Sequence, residues 1–161
     1  MAARQHIGET PLLQLSLASR LDEIERLADE VEVACADHAL PARSAYLFNL
    51  CFDELITNII MHGLNNAPNH VIDVALFLQD DWLRGTIIDD GPPFDPLAMP
   101  APDIHASLED RAIGGLGTHF VRTLMDEVGY RHENGRNHFM LGHHLAGPAN
   151  GRKNDVDPDC P

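Results

Sequence analysis

Hydrophobic positions in this chain switch between two periods, alternation and a three-to-four-residue repeat, and the switches divide it into elements. Leu13, Leu15 and Leu17 alternate with polar neighbours over 11–17, which predicts a short strand with one buried face. The spacing then lengthens: Leu21, Ile24, Leu27, Ala28, Val31 and Ala34 predict an amphipathic helix ending near His38. Ser19 is its expected N-cap, with Asp22 and Glu23 in a first turn where acids complement the helix dipole. Pro41, preset for a first turn, opens a second helix. From Ala45 to Met61 that helix is apolar around most of its circumference and is expected to be largely buried. Gly63 and the run Asn65–Asn69 end it in a loop.

Val71–Leu78 and Trp82–Ile88 are expected to pair as a hairpin across a tight Gln-Asp-Asp turn. Residues 92–112 form a long loop rich in Pro, Ala and Asp, and its place between two glycine motifs favours a lid. A helix from Gly117 to about Val128 carries Phe120, Val121, Leu124 and Met125 on one side. A last hairpin, Tyr130–Glu133 and His138–Leu145, turns on residues 134–137, where Asn-Gly is a strong signal. The order β-α-α-β-β-lid-α-β-β predicts an α+β fold: a two-layer α/β sandwich whose mixed, mostly antiparallel sheet carries helices on one face. Residues 1–145 then form one domain, and residues 146–161, poor in apolar side chains, a disordered acidic tail.

Composition narrows the function classes. With 44% apolar and 22% charged residues the chain reads as a soluble globular domain. It has no apolar run long enough for a membrane span, and its start lacks a secretory pattern, so the cytoplasm is the expected compartment. A net charge of −14 argues against a nucleic-acid surface and favours a divalent cation beside any bound nucleotide phosphate. Cys35, Cys51 and Cys160 have no metal spacing, and the first two fall in helical patterns as buried reduced thiols. His138, His143 and His144 share one hairpin, but adjacent 143 and 144 point to opposite faces, so a metal site is not expected there.

Three groups carry candidate chemistry. Glu54, Asn58 and His62 stand four residues apart on one line of an otherwise apolar helix, either facing a cleft or forming a structural hydrogen-bond network. Asp89 ends an apolar strand and is followed by Asp90 and Gly91; its carboxylate can point into a pocket, or the segment is an ordinary strand-to-loop turn. Phe94, Asp95 and Pro96 extend that motif, with Phe94 a loop anchor. Gly114, Gly115 and Gly117 precede a helix, where free N–H groups and the dipole favour phosphate. Each group alone is weak; their order along the chain points to a nucleotide site.

These motifs resemble those of the histidine-kinase-like ATPases (the GHKL or Bergerat-fold superfamily), and within them the anti-sigma-factor serine kinases of the RsbW and SpoIIAB type. Phe-Asp-Glu-Leu-Ile-Thr-Asn-Ile-Ile-Met-His-Gly is similar to the N box, Ile-Asp-Asp-Gly-Pro-Pro-Phe-Asp-Pro to the first glycine box, and Gly-Gly-Leu-Gly-Thr-His-Phe-Val to the second. The resemblance implies a Bergerat ATP-binding fold with an ATP lid, and ATP and Mg²⁺ as cofactors. It casts Asn58 as the Mg²⁺ ligand and Glu54 as the catalytic carboxylate that orients the attacking hydroxyl or water. Asp89 would hydrogen-bond the adenine amino group, with Gly91 giving room for the base. Gly115 and Gly117 would donate N–H groups to phosphate, with Gly114, Leu116, Thr118 and Phe94 in the same site. Arg111 would meet the γ-phosphate or stay a solvated lid cation, and His62 would contact phosphate or complete the helix network. Pro93 replaces a glycine common in the superfamily, and Asn137 stands where some relatives have a threonine near the base.

The implied function is a partner-switching serine/threonine-protein kinase: it phosphorylates a STAS-domain anti-sigma-factor antagonist and sequesters a sigma factor or another target. Relatives of this type form homodimers. The alternatives are a non-catalytic ATP-gated protein-binding module and a detached histidine-kinase catalytic domain; against the latter, the chain carries no dimerising helical hairpin with a phosphoacceptor histidine.

Overall fold

A computed structural model describes residues 10–98 and 115–146. Strand β1 spans Leu13–Ala18, with Leu13 and Leu17 buried as the alternation predicts. Helix α1 spans Glu23–Asp37. Ser19 is not its cap: Asp22 holds the N-cap position, and the Ser19 hydroxyl instead donates to Ala67 O at 2.6 Å. That bond ties β1 to the loop before β2, and the later helix start leaves Leu21 outside the buried stripe, 48% exposed.

Pro41 precedes α2 with extended ψ of 136°, so the helix begins at Ala42 and runs to Asn58. Its end does not unwind. The chain continues as a widened π turn over Ile59–Gly63, closed by Leu64 N–H to Ile59 O at 2.7 Å. Strands β2 (Val71–Gln79) and β3 (Trp82–Asp89) follow as the expected hairpin. Pro96–Ala98 make a short 3₁₀ turn at the start of the long loop, most of which lies outside the described residues.

Helix α3 spans Gly115–Leu124, earlier at both ends than the periodicity suggests, because Glu127 and Val128 are drawn into β4 (Glu127–Glu133). They pair with Gly142 and Leu141 of β5 (Arg136–His144). The closing turn is only Asn134-Gly135, both at positive φ (54° and 73°) as a type I′ turn requires. Arg136 and Asn137 therefore belong to strand β5 and not to the turn. The sheet order is β1-β2-β3-β5-β4 with every pair antiparallel, so no parallel pairing makes it mixed among the described strands. The acidic tail expected over 146–161 lies outside the described residues from 147 onward.

The apolar parity of the strands faces α1 and α2, burying Leu76, Leu83, Ile87 and Phe139 against Val31, Phe48, Phe52 and Leu55. The opposite face carries half-buried Trp82, Arg84, Thr86 and Ile88, with the Arg84 guanidinium 4.8 Å from the Trp82 ring centroid. Cys35 and Cys51 are free and buried, and burial pushes the Cys51 thiol up to about 12. No helix among the described residues is long and apolar enough to cross a membrane.

The α2–sheet contact depends on a missing side chain. Phe48 and Phe52 meet edge to face at 5.6 Å between centroids, and both rings rest on Gly85 of β3. A Cβ there would stand 2.8 Å from each ring, and neither fully buried ring has room to yield. Gly85→Ala is therefore expected to destabilise the fold by about 1–3 kcal/mol through overpacking, read as a lower urea midpoint; an unchanged midpoint would show that the rings can move.

Candidate functional site

Two segments distant in sequence, the start of α3 and the loop after β3, converge on the end of α2 and the π turn that follows it. A Cβ on Gly117, in the first turns of α3, would overlap the Glu54 carboxyl carbon at 1.5 Å, so the helix start is pressed onto that side chain. Farther along, a Cβ on Gly63 would meet the Phe94 ring at 2.8 Å, and one on Gly91 would meet Leu64 at 2.4 Å. The second and third candidate motifs thus meet the first at the end of α2, with a glycine at each approach.

On that helix Asn58 is buried and Glu54 half-buried, and the Asn58 amide donates to Glu54 Oε1 at 3.0 Å. His62 does not join them. The π turn after Asn58 breaks the four-residue register, and His62 is exposed. The expected line of three is therefore a pair with an outlying histidine. Asn58 commits its nitrogen to Glu54, which leaves its oxygen as the atom to offer a ligand.

Asp89 ends β3 at 1% exposure. Its Oδ1 accepts from the Gly91 N–H at 2.9 Å and from Asn137 Nδ2 at 2.9 Å. Its Oδ2 is buried and has no partner among the described residues. Burial raises the Asp89 carboxyl above its ordinary range, against the downward pull of the Asn137 and Gly91 hydrogen bonds. Asp90 points away and bonds His70 Nδ1 at 2.8 Å, pinning the α2–β2 loop to the end of β3.

Asn137 is the residue that motif reading undervalued. It is buried beside Asp89 on β5 and binds both the acid and the start of the lid: Nδ2 also donates to Pro92 O at 2.9 Å and Gly91 O at 3.4 Å. Its Oδ1 accepts from Tyr130 at 2.7 Å and the Phe94 N–H at 3.2 Å, with His132 Nδ1 at 3.1 Å. Burial raises the Tyr130 phenol, which stays protonated and donates. The available signal was parity: Asn137 shares the inward face of β5 with Phe139 and Leu141, where a polar side chain needs partners.

The lid base is also held from α3, where Arg122 donates to Leu97 O at 2.8 Å. Gly115 and Leu116 open α3, and Thr118 is buried behind them. Arg111 and Gly114 lie outside the described residues, as does most of the expected lid. The donor set, a buried acid and an amide oxygen, is of the type that takes an amino group and a hard cation. A buried acceptor oxygen is left without a partner among the described residues, the neighbouring Gly91 has no side chain and meets Leu64, and an amide oxygen and the start of α3 lie together at the end of α2.

Comparison with known proteins agrees with this geometry. Residues 17–141 match the model of the histidine kinase-like ATPase domain. An anti-sigma F factor of Geobacillus kaustophilus is 24% identical over 116 residues, covering 72% of this chain and 78% of that protein. An anti-sigma F factor of Oceanobacillus iheyensis is 31% identical over 75 residues, 47% of this chain and 51% of that protein. The serine-protein kinase RsbW of Listeria monocytogenes is 29% identical over 90 residues, 53% of this chain and 57% of that one. The matched segments thus span about half the length of the latter two relatives. A crystal structure of the RsbU and RsbW domains of a Mycobacterium tuberculosis protein has the same fold, with a TM-score of 0.59 at 18% identity over 83% of this chain and 31% of that one. Motif order, sheet topology and a family match over most of its length agree: the chain belongs to the histidine kinase-like ATPase family.

Proposed function

We propose that the protein binds ATP with Mg²⁺ and transfers the γ-phosphoryl group to a serine or threonine of a STAS-domain antagonist, alternately sequestering a sigma factor or another target. The observation that carries the nucleotide reading is the buried Oδ2 of Asp89, unpartnered among the described residues. An acceptor-only oxygen beside a glycine suits the exocyclic amino group of adenine and disfavours a base with an oxo group there. The kinase and anti-sigma roles draw on relatives that bear those names.

The remaining residues take roles from their surroundings. Asn58 would hold the cation through its free oxygen, and the first turn of α3, with Gly115, Leu116, Gly117 and Thr118, would offer N–H groups to the phosphates. Mg²⁺, when bound, supplies neutralisation of phosphate charge, which a chain of net charge −14 needs. Glu54, fixed by Asn58, accepts the proton of the attacking hydroxyl as the new O–P bond forms. The bond from the γ-phosphorus to the bridging oxygen breaks and ADP leaves. Phe94 anchors the lid base, His62 sits at the rim, and Arg111 and Gly114 remain candidates for the triphosphate.

Asp89 also sets a pH dependence. Its raised folded pKa means that the folded protein binds this proton more readily than the unfolded chain. The stability it contributes is complete below the unfolded carboxylate value of about 3.9 and is lost as pH rises through the raised folded value. Asn at this position removes the charge and keeps an oxygen for Asn137 and the Gly91 N–H.

Two outcomes are expected. Glu54→Gln keeps ATP affinity by isothermal titration but slows phosphoryl transfer to a STAS-domain substrate by about 100-fold or more. Unchanged transfer would remove Glu54 from the chemistry, and a wild type that binds ATP yet transfers nothing would favour the ATP-gated binding module. Asp89→Asn abolishes measurable ATP binding while melting a few degrees above wild type at pH 7, and the gap closes as the pH is lowered toward 4. A variant less stable than wild type at neutral pH would show that the buried carboxylate is not a strain on the fold.

A further inference from the structure

Among the described residues, Asn137 bonds both the base-binding acid and the first residues of the lid, and its two amide ends divide the work. The nitrogen donates to Asp89 Oδ1 and to Pro92 O, each at 2.9 Å. The oxygen accepts from Tyr130 at 2.7 Å and from the Phe94 N–H at 3.2 Å. Turning the amide over would set donors against donors, so its orientation is determined.

We propose that Asn137 is a positioning residue for nucleotide recognition: it decides which Asp89 oxygen meets the base and joins that choice to the lid's first turn. The inference rests on the ATP-binding reading above. A carboxylate has two equivalent oxygens, and the Gly91 N–H alone would hold either one. With Asn137 beside it, Oδ1 takes both donors and Oδ2 is left free.

The lid side follows from the sequence. Pro92 and Pro93 carry no N–H, so Phe94 supplies the first backbone donor after Gly91. That N–H goes to Asn137 Oδ1 and to the Tyr130 hydroxyl at 3.1 Å, while the Phe94 ring lies on Gly63 at the end of the helix that bears Glu54 and Asn58. A shift of Asn137 therefore moves Asp89 and the lid base together. The acid and the backbone at Pro92–Phe94 are thus tied through one side chain.

The test compares Mg·ATP with Mg·ITP, whose base has an oxo group in place of the amino group, by isothermal titration of the full chain. Amide exchange at Phe94 is followed without nucleotide. Wild type is expected to prefer ATP. Asn137→Ala should lose about tenfold in ATP affinity, the worth of a hydrogen bond to a charged group, and lose less for ITP, so that the preference narrows. Exchange at Phe94 should also quicken. Tyr130→Phe removes a hydroxyl that serves both the Phe94 N–H and Asn137 Oδ1. Exchange should then quicken while the ATP:ITP ratio shifts less than in Asn137→Ala, because the Asn137–Asp89 bond is kept. Should the alanine variant not fold, Asn137→Ser, which cannot serve both ends at once, replaces it. An Asn137 variant that weakens both nucleotides equally, or leaves Phe94 exchange slow, would reduce the residue to packing and overturn the proposal. A wild type that binds neither nucleotide would overturn the ATP-binding reading itself, and the exchange measurement would still judge the clamp.

Discussion

A carboxylate at 1% exposure must be met by donors, and the sheet is arranged so that Asp89 is met on one side only. The register that sets Asp89 between Ile72 of β2 and Asn137 of β5 brings one donor from a neighbouring strand. The turn at Gly91 brings a second, and it folds this tightly against Leu64 because Gly91 has no side chain to meet it. Strand order, turn chemistry and the loop after α2 thus serve one incompletely satisfied group. Such a group weakens the free protein and prepares it for a ligand, the usual exchange between stability and function at a binding site.

The second requirement is that the end of α2 be held in place, since the other two motif segments bear on it and on the π turn that follows. Its aromatic pair rests on a strand glycine, and its far end carries the approaches of Gly117, Phe94 and Gly91 in succession. Core packing and site geometry are therefore one problem here. The π turn at Ile59–Gly63 places Gly63 and Leu64 where the lid base can reach them, at the cost of the regular ladder. Widened turns of this kind persist where function needs an altered direction for the chain.

Much of this was legible beforehand. Alternation at Leu13–Leu17 and the three-and-four spacing from Ile24 to Ala34 report burial directly, and the structure follows them. The motif order pointed to one shared site, and in the structure the start of α3 and the loop after β3 both meet the end of α2 and its π turn. What escaped were features decided by tertiary partners. Ser19 has the chemistry of a cap but spends its hydroxyl on Ala67, 48 residues away. His62 keeps the helical spacing in sequence and loses it in space, because a π turn leaves no clear mark in composition. Asn137 reads as a turn residue next to Asn-Gly, yet a two-residue turn carries it into the strand and into the centre of the site. Local chemistry names what a residue can do, and register decides what it does.

The open face of the sheet has a consequence for observing this protein. Trp82 is its only tryptophan, and it begins the strand that Asp89 ends, about 23 Å away at seven strand steps. Its indole lies across Gly142, beneath the Arg84 cation and edge-on to His144. The indole emission therefore arises at the end of β3 remote from Asp89. It is an optical gauge of whatever meets that outer face.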